Sequence, residues 1–244
     1  MHYIDFHTHA FPDKLAFSTI PALEKEGNVT AALNGTISSL LDSMNHADIA
    51  ISVLCSIATR PEQFASILSW CQKNRSNRIV PFPSFHPESP TALQEIEEIH
   101  RLGFKGVKMH PFYQDFYLDE KRLYPFWEKI AELDPAKIAA LIHQFPDLKF
   151  VATHLGAWDQ WEEVQERLVG ENIYMDIAFS LEFMDKDKAK DIINAHPSDK
   201  ILFGSDSPWG DQANAIRLLK DLKLGKDREL AILRGNAEKL LRRE

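Results

Sequence analysis

Cysteine is nearly missing from this chain: two of its 244 residues, Cys55 and Cys71. Two cysteines exclude a disulfide framework and a Cys–Cys zinc site, and they suit a reducing compartment. Cys55 lies in an apolar run and Cys71 in a helical pattern, so packing is the expected role of both. No apolar run approaches the length of a membrane span. Gly/Ser linkers, low-complexity tracts and shifts of composition are absent as well, which points to one domain over residues 1–244. Basic charge is short: 28 Lys and Arg against 36 Asp and Glu leave a net charge of −8. That balance argues against nucleic acid or an anionic membrane as partner and leaves a small-molecule substrate, with a homo-oligomer open. The first apolar stretch starts at Tyr3, leaving no room for a signal peptide, so the cytoplasm is the expected location.

What is present is an alternation. At 44% hydrophobic residues the chain can fill a large core. Strand-like apolar runs cover Tyr3–His9, Ile49–Ile57, Arg78–Phe85, Phe104–His110, Leu148–Leu155, Asn172–Phe179 and Lys200–Ser205. Several are continuous rather than alternating, as parallel strands covered on both faces require. Helical stretches lie between them, at Pro61–Arg75, Ser89–Leu102, Trp158–Val169 and Arg228–Leu241, each with apolar residues three and four apart. Repeated β-then-α order implies parallel crossovers. Polar residues gather at the C-terminal ends of the runs: His7, His9, Arg60, His86, Lys108, His110, His154, Ser180 and Asp206. That distribution marks an α/β fold of the TIM-type (β/α) barrel, whose active site lies on the C-terminal rim. A doubly wound sheet would more often carry a Gly-rich loop after the first strand, where this chain has His9-Ala10-Phe11-Pro12.

The strand count reaches seven where a full barrel needs eight. Between Leu118 and Asp147 one helical face, Leu123, Phe126, Trp127, Ile130 and Leu133, is followed directly by another, Pro135, Ile138, Ala139, Leu141 and Ile142. The fifth strand is not recognisable there. Either the barrel has seven strands or the sequence omits a segment near Leu133–Asp134, and the unbroken alternation elsewhere favours omission.

His7 and His9 are two apart on a strand and so point to one side, together with Asp5. Paired imidazoles on a rigid strand make half of a metal site, and an aspartate ending a distant apolar run, Asp206, is the natural third ligand. Divalent metals take such nitrogen and oxygen donors, and they bring the pKa of a bound water to about 7. His154 can take or return the proton, since an imidazole titrates near neutral pH. Asp206 reads as ligand, base, or both in turn.

Four motifs, Asp5-Phe6-His7-Thr8-His9, Gly106-Val107-Lys108-Met109-His110-Pro111, Thr153-His154-Leu155-Gly156 and Gly204-Ser205-Asp206-Ser207-Pro208, come in an order and spacing that resemble the amidohydrolase superfamily. The branch they resemble most holds metal-dependent hydrolases together with non-oxidative decarboxylases. The resemblance spans nearly the whole chain. It implies that His7, His9 and Asp206 bind a divalent metal, zinc first and manganese second, and that His154 acts on the metal-bound water. The histidine that the family carries on its fifth strand has no counterpart, which coincides with the missing strand.

The expected activity is therefore hydrolysis, a metal-activated water attacking an amide, ester or lactone of a small molecule. The alternative is a carboxy-lyase that removes CO2 from a small carboxylic acid. Lys108 reads equally as a binder of a substrate anion, a carboxylated bridge between two metals, or a buried ion pair, and His110 as an orienter of substrate or a structural group. Arg60, just after the second strand, suits a substrate carboxylate and reads equally as an exposed loop residue. Phe112, Tyr113, Trp158 and Trp209 follow strand ends and could wall a pocket for a flat substrate. His143 reads as a surface or boundary residue rather than a replacement ligand. A nuclease of the TatD type shares the Asp-x-His-x-His start but carries glutamate where this chain has Lys108, and the acidic balance disfavours DNA. A PHP phosphoesterase does not suit the Lys-Met-His-Pro motif, and a non-catalytic metal-binding scaffold is the remaining class.

Overall fold

The computed structural model describes residues 2–118, 120–133 and 149–241. The chain divides into two compact units, Met1–Val53 with Val151–Glu244, and Leu54–Phe150.

In the first unit β1 (Tyr3–Thr8) leads into α1 (Asp13–Gly27) and α2 (Ile37–His46), and β2 (Ile49–Cys55) returns beside β1. The later half supplies β4 (Val151–Ala152), β5 (Tyr174–Asp176) and β6 (Ile201–Leu202), with α7 (Trp161–Arg167) and α8 (Lys186–Ala195) as crossovers. β4 pairs parallel with β5 at Val151–Tyr174, and β5 with β6 at Met175–Ile201. β6 and its continuation then run along β1: Phe6 N–H donates to the Phe203 carbonyl at 2.8 Å, Asp206 N–H to the His7 carbonyl at 2.9 Å, and Thr8 bridges Ser207 in parallel. The order β4-β5-β6-β1-β2 thus aligns the C-terminal ends of β5, β6 and β1. Ile4, Phe6, Val53, Met175, Ile201 and Phe203 are buried, as continuous apolar strands require.

Three helices of this unit start where a side chain satisfies their free N–H groups. Thr36 accepts from Ser39 N–H ahead of α2, Asp185 from two N–H groups of α8, and Asp211 from Asn214 N–H ahead of α9 (Gln212–Asp221). The C-terminal stretch runs as α10 (Lys226–Leu230), a π-helical turn Ala231–Gly235, and α11 (Asn236–Leu241). There the Ile232 carbonyl accepts from Phe203 N–H at 3.1 Å, and Asn236 Nδ2 donates to the Ser198 and Ile201 carbonyls at 3.0 and 2.8 Å, which moors the helix to β6.

In the second unit the end of β2 lies beside β3 (Ile79–Phe82), where Ser56 N–H donates to the Phe82 carbonyl at 3.1 Å. α3 (Phe64–Asn74), entered through a 3-10 turn at Pro61–Gln63, packs Leu68 and Cys71 against Ile99 of α4 (Ala92–Arg101) and against Phe104. A short helix α5 (Pro111–Gln114) and α6 (Tyr124–Leu133) complete it, with Phe116, Leu123 and Trp127 forming a second cluster.

The strand expected over Phe104–His110 is not formed. Lys108 N–H donates to the Pro83 carbonyl at 2.8 Å, but no ladder follows, and the apolar residues there are explained by burial of Phe104 under α3 and α4. Among the described residues no strand lies between Phe82 and Val151. The helix expected over Pro135–Ile142, the junction at Leu133–Asp134 and His143 lie outside the described residues, apart from Leu133 itself, the last residue of α6. No helix among the described residues is long and apolar enough to cross a membrane.

Candidate metal centre

Three side chains converge where β1 meets the end of β6. His7 projects from β1, His9 follows one residue past its end, and Asp206 sits in the turn after β6, four residues beyond Leu202, at φ 60°. His7 Nε2 lies 3.1 Å from His9 Nε2 and 3.4 Å from Asp206 Oδ1, and His9 Nε2 lies 3.3 Å from the same oxygen. One ligand atom from each falls within 4.8 Å of the others. Burial alone would raise the Asp206 carboxyl, but the imidazoles of His7, His9 and His154 outweigh it and hold the group well below the usual carboxylate range.

The donor set fits a divalent cation. His7 Nδ1 faces Asp176 Oδ2 at 3.1 Å, and a carboxylate can only accept, so Nδ1 carries the hydrogen and the neutral ring keeps its lone pair on Nε2. That lone pair, a second imidazole nitrogen and an anionic oxygen then meet within hydrogen-bonding range. Negative density concentrated in this way is what a metal neutralises, and two imidazoles with one carboxylate are ordinary zinc or manganese donors.

Asp5 stands behind this cluster rather than in it. Its Oδ1 accepts from the backbone N–H of His7 and of Ser205 at 3.2 and 3.1 Å, and its Oδ2 from Ser205 Oγ and Gln212 Nε2 at 2.6 and 2.7 Å. Complete burial pushes its carboxyl up to about 6 against the opposing pull of those four hydrogen bonds. The face shared with His7 and His9 therefore serves Asp5 as a clamp that joins β1 to the strand end bearing Asp206.

His154 lies beside the cluster, its ring centre 5.5 Å from that of His7. It follows β4 in a turn where His154, Leu155 and Gly156 all have positive φ, a costly arrangement for the first two. Nδ1 donates to the Ala178 carbonyl at 2.8 Å, which leaves the lone pair of the neutral ring on Nε2. An aromatic group adjoins it: Trp158 meets the His154 ring edge-on at 5.7 Å, stacks on Phe179 at 5.6 Å with 20° between planes, and touches Phe183 at 5.2 Å. Trp158 and Phe183 are exposed.

The substrate candidates Lys108, His110 and Arg60 belong to the second unit. His110 caps α5, its Nδ1 accepting from Tyr113 N–H at 3.4 Å with the two rings 4.5 Å apart. Arg60 is exposed at the start of the turn Pro61–Gln63, and Lys108 is half-buried. Phe112 and Tyr113 are exposed on α5. The residue that sequence reading missed is Asp176, buried at the end of β5, which contacts both His7 and His154. Its one signal was a carboxylate inside an otherwise apolar run.

Solved structures share this architecture. An uncharacterised TIM-barrel protein from Bordetella bronchiseptica matches with a TM-score of 0.76 at 19% identity, over 99% of this chain and 98% of that one. A 2,6-dihydroxybenzoate decarboxylase from Rhizobium gives 0.72 at 16%, over 99% and 98%. A 5-carboxyvanillate decarboxylase from Novosphingobium aromaticivorans, solved with bound manganese, gives 0.69 at 14%, over 98% and 97%. No curated protein matches. The fold is therefore that of a TIM-type (β/α) barrel. Residues 4–243 match the family model described as Amidohydrolase, and the chain belongs to that family.

Proposed function

We propose that the chain is a metal-dependent hydrolase whose substrate is a small molecule bearing an amide, ester or lactone. The observation that carries this reading is the convergence of His7, His9 and Asp206, with His154 beside them. In it His7, His9 and Asp206 would hold one divalent cation, zinc or manganese. When bound, such an ion polarises a substrate oxygen and acidifies water. His154 takes the proton on Nε2, because its Nδ1–H is committed to Ala178. Protonated, the same ring returns the proton to the leaving group. Asp206 is a ligand that can also accept a hydrogen bond from the attacking water. On motif order alone, Lys108, His110 and Arg60 are assigned to the substrate's anionic group, and residues 1–244 to one catalytic domain.

Decarboxylation of a small aromatic acid is the second reading. What favours it is the stacked Trp158–Phe179 pair next to His154, a flat apolar surface of the kind an aromatic ring occupies. It also agrees with the activities of the Rhizobium and Novosphingobium proteins. The test is a panel of hydroxybenzoates, aryl esters and lactones, assayed with added zinc or manganese. Release of acid from the ester or lactone supports hydrolysis, release of CO2 supports the second reading, and no turnover with bound metal refutes both.

A further inference from the structure

We infer that Asp176 is a positioning residue that sets both the metal-binding tautomer of His7 and the turn that presents His154. The inference rests on His7 being a ligand, as proposed above. Asp176 is 1% exposed, yet its carboxylate receives three hydrogen bonds. Oδ2 accepts from His7 Nδ1 at 3.1 Å, and Oδ1 accepts from the backbone N–H of His154 at 3.0 Å and of Ala178 at 3.1 Å. Its own carbonyl accepts from Leu155 N–H at 2.7 Å. One buried residue thereby holds the strained pair His154–Leu155 from both its backbone and its side chain, while Ala178, held by the same carboxylate, fixes the His154 ring through Nδ1.

The two oxygens have separable duties. Oδ2 keeps the hydrogen of His7 on Nδ1 and so keeps Nε2 free to bind a cation, the outer-sphere function that carboxylates serve for metal-bound histidines. Oδ1 holds the His154 turn. In Asp176→Asn the amide has one orientation that preserves the turn: its oxygen faces the two backbone N–H groups, and its NH2 therefore faces His7 Nδ1. An NH2 can only donate, so the His7 hydrogen moves to Nε2, the atom that must bind the metal. The reverse orientation sets an NH2 against two backbone donors and is worse by one clash.

The test is nitrogen-15 NMR of the His7 ring in metal-free protein, paired with zinc and manganese affinity measured calorimetrically. The wild type shows the Nδ1–H form. Asp176→Asn shows the Nε2–H form and binds either metal about 10- to 100-fold more weakly. A merely structural role would lower the melting temperature and leave tautomer and affinity unchanged, and that result overturns the inference. Should the variant not fold, the wild-type spectrum decides alone, since an Nε2–H form there refutes it. A wild type that has the Nδ1–H form but binds no metal refutes the ligand assignment and leaves the tautomer control standing.

Discussion

Three aspartates lie on or just after β1, β5 and β6, and their surroundings differ. Asp5 spends its lone pairs on four protein donors and joins two strands. Asp176 faces one imidazole and two backbone N–H groups. Asp206 faces the imidazoles of His7 and His9, and it is the carboxylate that the proposed function assigns to the cation. The histidines divide in the same way. His154→Ala is expected to keep the bound metal and to slow turnover by about two to four powers of ten, read from metal content and kcat on whichever substrate the panel identifies. Loss of the metal in that variant would make His154 a ligand instead. His196 is a contrasting case, buried with Nε2 donating to the Ile173 carbonyl at 2.9 Å and Nδ1 accepting from Gly170 N–H at 3.3 Å. Burial first, then Lys200 and Arg228, lower its pKa below the ordinary 6.5, against the opposing effect of the Ile173 bond and Asp199. The unfolded chain then binds a proton that the folded one refuses, so His196 contributes full stability above the ordinary value and loses it as pH falls through that region. His86, also lowered by burial, adds the same sign. Asp5, with its carboxyl raised to about 6, acts in the opposite sense over the same range, so the test is a comparison: in urea unfolding, stability at about pH 5.5 relative to about pH 7.5 should be less favourable in the wild type than in His196→Gln. An equal difference in both would refute the assignment.

At the scale of elements, the turn after β6 carries the most constraint. A Cβ added at Gly210 would sit 2.1 Å from the Ser205 carbonyl oxygen, inside the turn that presents Asp206. Gly210→Ala is therefore expected to cost about 2 kcal/mol or more and to weaken metal binding, measured by thermal melting and calorimetry. Wild-type affinity in that variant would show that Asp206 does not depend on the turn. The paired imidazoles were legible in the sequence because a strand has a period of two, and Asp206 because it breaks a buried run at its end. Asp176 was not, because it lies inside the apolar stretch Tyr174–Ala178 and its partners are 169 and 22 residues away. Hydrophobic pattern reports burial rather than pairing, which is why Phe104–His110 read as a strand. The same limit hid α8 and α9, whose buried faces are narrow: Ala189, Ile192 and Ile193 in one, Gln212, Ile216 and Leu219 in the other. In α9 a buried glutamine takes the place of an apolar residue because Asp5 accepts its amide hydrogen.

For the molecule as a whole, the strands of the first unit were readable, with the helix after β4 and the C-terminal helical stretch, and the chain matches a barrel fold and an amidohydrolase family model. The candidate metal cluster was readable because His7, His9 and Asp206 lie at or near strand ends, where side-chain direction follows from backbone geometry. The grouping of Trp158 with Phe179 and Phe183 was not, because they lie in turns whose contacts sequence patterns do not encode. The account stands on a divalent cation held by residues from opposite ends of the chain. Its most direct test is elemental analysis of the protein purified after metal-replete expression, beside His7→Ala and His9→Ala. About one equivalent of zinc or manganese in the wild type, and most of it lost in both variants, is the expected result. A wild type without metal, or variants that keep the wild-type content, would contradict the account.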